Sequence, residues 1–203
     1  MATRGPRTPS HLVRSEVLRS AIEILDVDGP DGFTVRAVAE HAGVASMAIY
    51  NHFDGMNGVI EELWREGFEG LTAALTVTTG HAASDLRQAG LNYRRFALAH
   101  RGHYTVMFLH RFKNFEVSAD GAHVAATAFA TLERLVANAQ RERVIREGTA
   151  VDLAQLIWSA CHGFVSLEMT SENFSTVADE NYDALIAMLF EGLRPRSDGV
   201  TPP

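Results

Sequence analysis

TVRAVAEHAGVASMAIYNHF, residues 34–53, holds two short helical patterns separated by Ala42-Gly43-Val44. Thr34 suits the N-cap of the first, where a hydroxyl can accept a bond from an amide one turn on. Val35, Val38 and Ala39 lie on its inner side. The second helix is predicted from about Ala45 to Asn51 and leads into the aromatic pair Tyr50 and Phe53. Ala39 and Gly43 stand where the two helices would cross. Small residues there let the backbones approach, and Gly43 can adopt a left-handed conformation without a Cβ clash. This is the layout of a helix-turn-helix, which lays its second helix in the major groove of DNA.

Towards the N-terminus, Val13, Val17, Ala21, Ile24 and Leu25 recur at helical spacing from a start near Ser10. Asp28-Gly29-Pro30-Asp31-Gly32 stops that helix, and Phe33 then turns inward. Three short helices around this apolar set define an expected DNA-binding domain over residues 1–55. Residues 1–9, with Pro6 and Pro9, are expected to form a flexible arm. Its Arg4 and Arg7 can reach a phosphate or a minor groove, or simply remain solvated.

Towards the C-terminus, Asp54-Gly55 breaks the chain, and Asp54 is expected to cap a helix over Met56–Leu75. Val59, Ile60, Leu63, Trp64, Phe68 and Leu71 mark its buried side. Helices follow at 84–99, at 102–110 and, after a polar interval at 111–118, from Ala119 to about Glu147. Thr149 with Asp152 resembles the start of the next helix. That helix is apolar nearly all round, so it is either buried or shared with a partner chain. The last runs from about Asp179 to Leu193. Residues 56–194 read as one helical regulatory and dimerisation region, and 195–203 as a disordered tail. The fold class is all-α, with no alternating strand pattern, repeat or low-complexity run.

Two groups of residues carry a family likeness. The runs Thr34–Ala39, Ala42-Gly43-Val44 and Ala48-Ile49-Tyr50-Asn51-His52-Phe53 resemble the first domain of the TetR family of transcriptional regulators. Trp158, followed four residues later by His162-Gly163, resembles the group of C-terminal domains known as WHG domains. The resemblance implies a three-helix reading head and a C-terminal helical domain that binds a ligand and dimerises. It implies a repressor released from a palindromic operator by a small molecule. It gives Arg36 a base contact and Thr34, Tyr50 and His52 phosphate contacts. It places the subunit interface in the last two helices, as a four-helix arrangement. One departure stands out: Met56 occupies the place of a lysine that normally helps hold phosphate. Backbone amides at a helix start can still do so.

The chemistry of the residues supports the same sites. Ser46, Met47 and Ala48 fall on the first turn of the second helix, where side chains meet base edges. Met47 and Ala48 suit thymine methyls, Ser46 can donate or accept, and Arg36 can pair bidentately with guanine. Asn51 completes the DNA-facing set. One reading head per chain calls for a two-fold dimer on double-stranded DNA. In the second region Tyr93, Phe96 and His100, then Tyr104, Met107 and Phe108, then Phe129, Trp158 and His162 are candidate pocket residues. Aromatic rings and methionine with a few polar tips suit a small, largely apolar effector; ordinary core packing is the other reading of each. The alternative function is a DNA-binding dimer with no small-molecule ligand, controlled by a protein partner or by nothing.

Composition narrows the classes. The formal charge of −7 argues against a protein that coats DNA non-specifically. Residues 1–20 are locally basic, with Arg4, Arg7, Arg14 and Arg19 against Glu16. Arg36 is the sole lysine or arginine between Ser20 and Phe53, so the electrostatic footprint is weak. No run of eighteen apolar residues is present, and no apolar signal core follows the N-terminus, so a cytoplasmic protein is expected. Cys161 reads as a small core residue, and His162 as a buried hydrogen-bonding group. His100, His103 and His110 have metal-like spacing, but Arg95 and Arg101 would repel a cation, so no metal or other cofactor is expected. Cys161 and the adjacent His162 cannot form a dyad, because successive helical side chains diverge. No nucleophile motif or phosphate loop is present, and an enzyme is not expected.

Overall fold

The computed structural model describes residues 10–195. The arm, with Arg4 and Arg7, and the tail beyond Pro195 lie outside the described residues. Among those described, nine α-helices form and no strand does. They are α1 (Ser10–Val27), α2 (Val35–His41), α3 (Ser46–Phe53), α4 (Met56–Leu75), α5 (Ala82–Ala99), α6 (Arg101–Tyr104), α7 (Ala119–Arg141), α8 (Ala150–Thr170) and α9 (Ala178–Gly192). Two compact units result. The first takes in residues up to Phe68 together with His100–Ala122; the second takes in Glu69–Ala99 and the residues from His123 on.

The first unit closes around α1. Val17 and Ala21 of α1, Val38 of α2, Ile49 of α3 and Val59 and Leu63 of α4 are fully buried in one cluster. The Thr34 hydroxyl accepts from the Ala37 amide at 3.2 Å, as the sequence predicts. Gly43 is left-handed, with φ 65°, which lets the Val44 amide reach back to the Ala39 carbonyl at 2.9 Å. The second helix runs two residues further than expected, to Phe53. Asp54 makes this possible by taking the left-handed C-cap, φ 59°, so that Phe53 packs inward.

Residues 111–118, expected to be a polar interval, are packed down on the same unit. Phe112 meets Phe33 edge-on at 5.5 Å, and Phe115 lies 6.4 Å from Trp64. The Asn57 amide donates to the Asn114 carbonyl, and the Trp64 indole donates to the Gly121 carbonyl. Two aromatic anchors are enough to hold a loop that is polar on average. Before it, α6 starts at Arg101, where Asp26 accepts from the Gly102 amide at 2.7 Å. It then widens into a π-helical turn over Thr105–Leu109.

In the second unit, α5, α8 and α9 pack on one another. Tyr182, almost fully buried, donates to the Gly90 carbonyl at 2.8 Å. Arg94 of α5 binds Glu168 of α8 through two bonds of 2.7 and 2.6 Å and also meets Asp179 of α9. Thr149 caps α8 on the Asp152 amide, as expected.

Helix α7 ends at Arg141, six residues earlier than its helix-favouring sequence suggests. Arg143 takes a left-handed conformation, φ 56°, and the Val144 amide returns to the Ala39-like position of this helix, the Ala139 carbonyl, at 2.8 Å. The early stop lets Ile145 turn inward and ties the Arg146 amide to the Leu193 carbonyl. An exposed arginine with left-handed backbone is strained by about 1 kcal/mol. Arg143→Gly should therefore stabilise the protein by about 0.5–1 kcal/mol and raise its thermal midpoint by roughly 1–4 °C. An unchanged or lowered midpoint in calorimetry would show that this stop carries no strain.

Candidate nucleic-acid interface and regulatory site

The eight DNA-facing candidates all lie on or beside α2 and α3. Thr34, Arg36, Ser46, Met47, Tyr50 and Asn51 are exposed, while Ala48 and His52 are half-buried. Met47 is 64% exposed and Tyr50 54%, although both lie on a helix whose Ile49 and Phe53 are closed in. Burying those two while leaving large apolar side chains in water gives α3 an outward surface with its own contact chemistry. Arg36 is exposed and forms no ion pair among the described residues. Its guanidinium is available to a base edge. The Thr34 hydroxyl spends a lone pair on the Ala37 amide and keeps its own proton to donate.

The arginines of α1 are not available in the same way. Arg14 binds Glu62 and the His52 carbonyl; Arg19 binds Glu16 and Glu23. The basic character expected of residues 1–20 is thus largely neutralised over its described part. Burial alone would raise the Glu62 carboxyl, but Arg65 and Arg14 hold it below the ordinary carboxylate range. The pairing of Arg14 with Glu62 was not visible in the sequence, because a charge pair between residues 14 and 62 leaves no local signature.

The nine pocket candidates divide between the two units. His100, Tyr104, Met107 and Phe108 belong to the first, where the Tyr104 and Phe108 rings are 4.9 Å apart. Tyr104 and Met107 are buried. The neighbouring His103 lies 3.6 Å from Glu66 of α4, an acidic neighbour that the local sequence around the histidines does not show. Among the described residues no group of three or more potential ligands is placed to hold a metal ion.

Tyr93, Phe96, Phe129, Trp158 and His162 belong to the second unit. Here a chain of contacts forms. The Trp158 and His162 rings lie 5.3 Å apart, tilted by 34°, and Phe129 approaches Trp158 edge-on at 6.3 Å. His162 Nδ1 is 2.9 Å from the Tyr93 hydroxyl, and Nε2 is 3.3 Å from the Ser166 hydroxyl. Tyr93 is buried, while Trp158 and His162 keep part of their surface. A small apolar void of about 20 Å³ lies elsewhere in this unit, bordered by Leu86, Gly90 and Ile157.

The comparisons agree with this geometry. Residues 17–63 match the model described as bacterial regulatory proteins, tetR family. Residues 86–192, more than half of the chain, match the one described as tetracyclin repressor-like, C-terminal domain.

The chain belongs to the TetR family.

Among relatives of this TetR-family chain is an uncharacterized HTH-type transcriptional regulator of Mycobacterium tuberculosis. It is 27% identical over 199 residues, covering 97% of this chain and 88% of that protein. The Escherichia coli tetracycline repressor protein class C is 32% identical over 98 residues, covering 44% of this chain and 42% of that one. A solved structure of a protein with unknown function from Rhodococcus sp. RHA1 superposes with a TM-score of 0.77 at 26% identity, covering 94% and 97% of the two chains. The chain is therefore a DNA-binding transcriptional regulator with an N-terminal helix-turn-helix and a C-terminal helical domain.

Burial lowers the affinity of His162 for a proton. The unfolded chain, with an ordinary value of 6.5, then takes up a proton before the folded one does. The stability that His162 supplies is complete above that value and is lost as pH falls below it. His162→Gln removes the titration. The thermal midpoint of the native protein should lose ground to that of His162→Gln between about pH 8 and about pH 5. Parallel midpoint curves for the two proteins would show that the ring titrates as freely folded as unfolded.

Proposed function

We propose that the protein is a dimeric repressor that reads a palindromic operator with α3 and is released by a small, largely apolar effector. The observation that carries the DNA-reading part is the outward surface of α2 and α3. It combines the guanidinium of Arg36, which has no ion pair among the described residues, with hydroxyls at Thr34, Ser46 and Tyr50 and the exposed Met47. Arg36 pairs with a guanine, and Met47 and Ala48 meet thymine methyls. Thr34, Tyr50, Asn51 and His52 hold the backbone. Met56 supplies no charge at the start of α4, so amides and hydroxyls carry the phosphate contacts there.

The effector would act near the Trp158–His162 pair and its neighbours Tyr93 and Phe129 in the second unit, with α4 as the lever to the reading head. Such coupling is reciprocal: the effector weakens operator binding and the operator weakens effector binding by one factor. A second reading, a regulator with no small effector, is favoured by the burial of Tyr93, Tyr104 and Met107. Effector screening by thermal shift, with and without operator, separates the two.

The uncovered side of the last helices supports a dimer interface there. On α8, Leu156, Ser159, Gly163 and Leu167 recur at helical spacing and are all exposed; on α9, Ala184 and Met188 are exposed likewise. Small residues at Ser159 and Gly163 let a second helix come close, with leucines above and below. By length and mean hydropathy, 1.2, α8 would also pass for a membrane span. It carries Asp152, His162 and Glu168, the last bonded to Arg94, and a second subunit fits that composition better.

Selection of bound genomic fragments supplies the operator. Against it, Arg36→Ala should lose about 1–3 kcal/mol of affinity with its circular dichroism unchanged. An unaltered mobility shift would sink the assignment of Arg36. Leu156→Glu should sediment as a monomer at concentrations where the native chain sediments as a dimer. A native chain that is monomeric at micromolar concentration would refute the dimer itself.

A further inference from the structure

The recognition helix α3 has only eight residues and is held at its C-terminal end from outside itself. There the last carbonyls of the helix have no intrahelical partner. The Tyr50 carbonyl is taken by the Asp54 amide at 3.1 Å. The His52 carbonyl accepts from one guanidinium nitrogen of Arg14 on α1. The other terminal nitrogen of Arg14 binds Glu62 of α4 at 2.5 Å. The guanidinium also lies over the Phe53 ring, 4.5 Å from its centroid. Glu62 is itself fixed, because its second oxygen binds Arg65 at 2.5 Å. One planar group therefore touches α3 twice and α4 once, from a site on α1. A cation is also well placed at this end of a helix dipole.

We infer that Arg14 is a positioning residue for sequence reading: it sets the seat and rotation of α3 and contributes no DNA contact of its own. The inference rests on α3 being the reading helix. Loss of the lock lets α3 shift as a whole: its base contacts, which need one exact geometry, suffer most, while the phosphate contacts of Tyr50, Asn51 and His52 tolerate a small displacement. Discrimination between operator and other DNA then falls, while affinity for non-specific DNA stays.

The contrary role is a phosphate contact by Arg14, whose side chain keeps 37% of its surface. Glu62 separates the two. If Arg14 is a lock, Glu62→Gln weakens the lock and lowers discrimination. If Arg14 is a phosphate ligand, Glu62→Gln frees it and raises affinity for every DNA alike.

The test measures dissociation constants of the full-length protein for the selected operator and for an unrelated duplex of equal length, at one ionic strength. For Arg14→Ala and for Glu62→Gln, the operator-to-duplex ratio should fall about tenfold, with the duplex constant little changed. Arg14→Lys should not restore it, because a single ammonium cannot hold the carbonyl, the carboxylate and the ring face together. An unchanged ratio in Glu62→Gln, or equal losses on both DNAs in Arg14→Ala, would overturn the inference. Should Arg14→Ala fail to fold, Glu62→Gln and Arg14→Lys decide. Met47→Ala and Ser46→Ala, on the base-facing first turn of α3, serve as companions. If they too leave operator binding unchanged, it is the assignment of α3 as reader that fails. If they weaken binding and the Arg14 and Glu62 variants do not lower the ratio, only the lock fails.

Discussion

A helix of eight residues has no stability of its own in water, because the cost of its first turn is not recovered over so few hydrogen bonds. The DNA-reading geometry of this chain therefore depends on what holds α3 from outside. Ile49 and Phe53 seat it on the core from one side. At its end, the backbone of α4 comes so close that a Cβ on Gly58 would stand 1.5 Å from the Phe53 carbonyl. No other residue can occupy that place without parting the two helices. The Gly43 turn fixes the start of α3 relative to α2, and the Asp54 cap and Arg14 fix its end. With both ends fixed, side chains such as Met47 and Tyr50 can remain outside without the helix loosening.

This arrangement uses charge sparingly. The head lies in a chain of formal charge −7, and two of its arginines are committed to carboxylates within the fold. A protein that gripped DNA chiefly through counterion release would keep such groups free. Here charge serves internal order, and among the described residues from Ser10 to Phe53 Arg36 is the arginine with no ion pair. The balance shifts from general attraction towards base contacts, which are short-ranged and demand a well-fixed helix. Weak footprint and rigid α3 are thus two sides of one design.

The sequence made the head legible because its signals are local. A threonine cap, a turn glycine and an apolar period each act within a few residues, and these were found where expected; the expected close crossing was not, since Gly43 is exposed with nothing within 4 Å of a Cβ position and serves the left-handed turn alone. The Thr149 start of α8 and the hydrogen-bonded His162 were legible for the same reason. What escaped was contact between distant residues. Phe112 and Phe115 sit in a stretch that is polar on average, and nothing nearby shows that their rings dock on Phe33 and Trp64. The end of α7 escaped because Arg143 adopts a conformation its residue type disfavours, for the sake of burying Ile145. Arg14 read as part of a basic stretch, since its partner Glu62 lies three helices away.

Helix α8 shows how several demands can share one sequence. Leu153, Ile157, Cys161 and Val165 form its buried stripe, and burial raises the Cys161 thiol above its ordinary range. Leu156, Gly163 and Leu167 form the uncovered stripe opposite. Trp158 and His162 lie one turn apart on the border between them, partly exposed, with His162 bonded to Tyr93 of α5. A uniformly apolar helix could pack in several rotations; the His162–Tyr93 bond, together with the Arg94–Glu168 pair, favours the rotation observed. The same bond that orients α8 for its own core therefore orients the uncovered stripe. Anything that disturbs Trp158 or His162, a proton or an apolar molecule, acts on one of the contacts that set the rotation of that stripe, the Arg94–Glu168 pair being another.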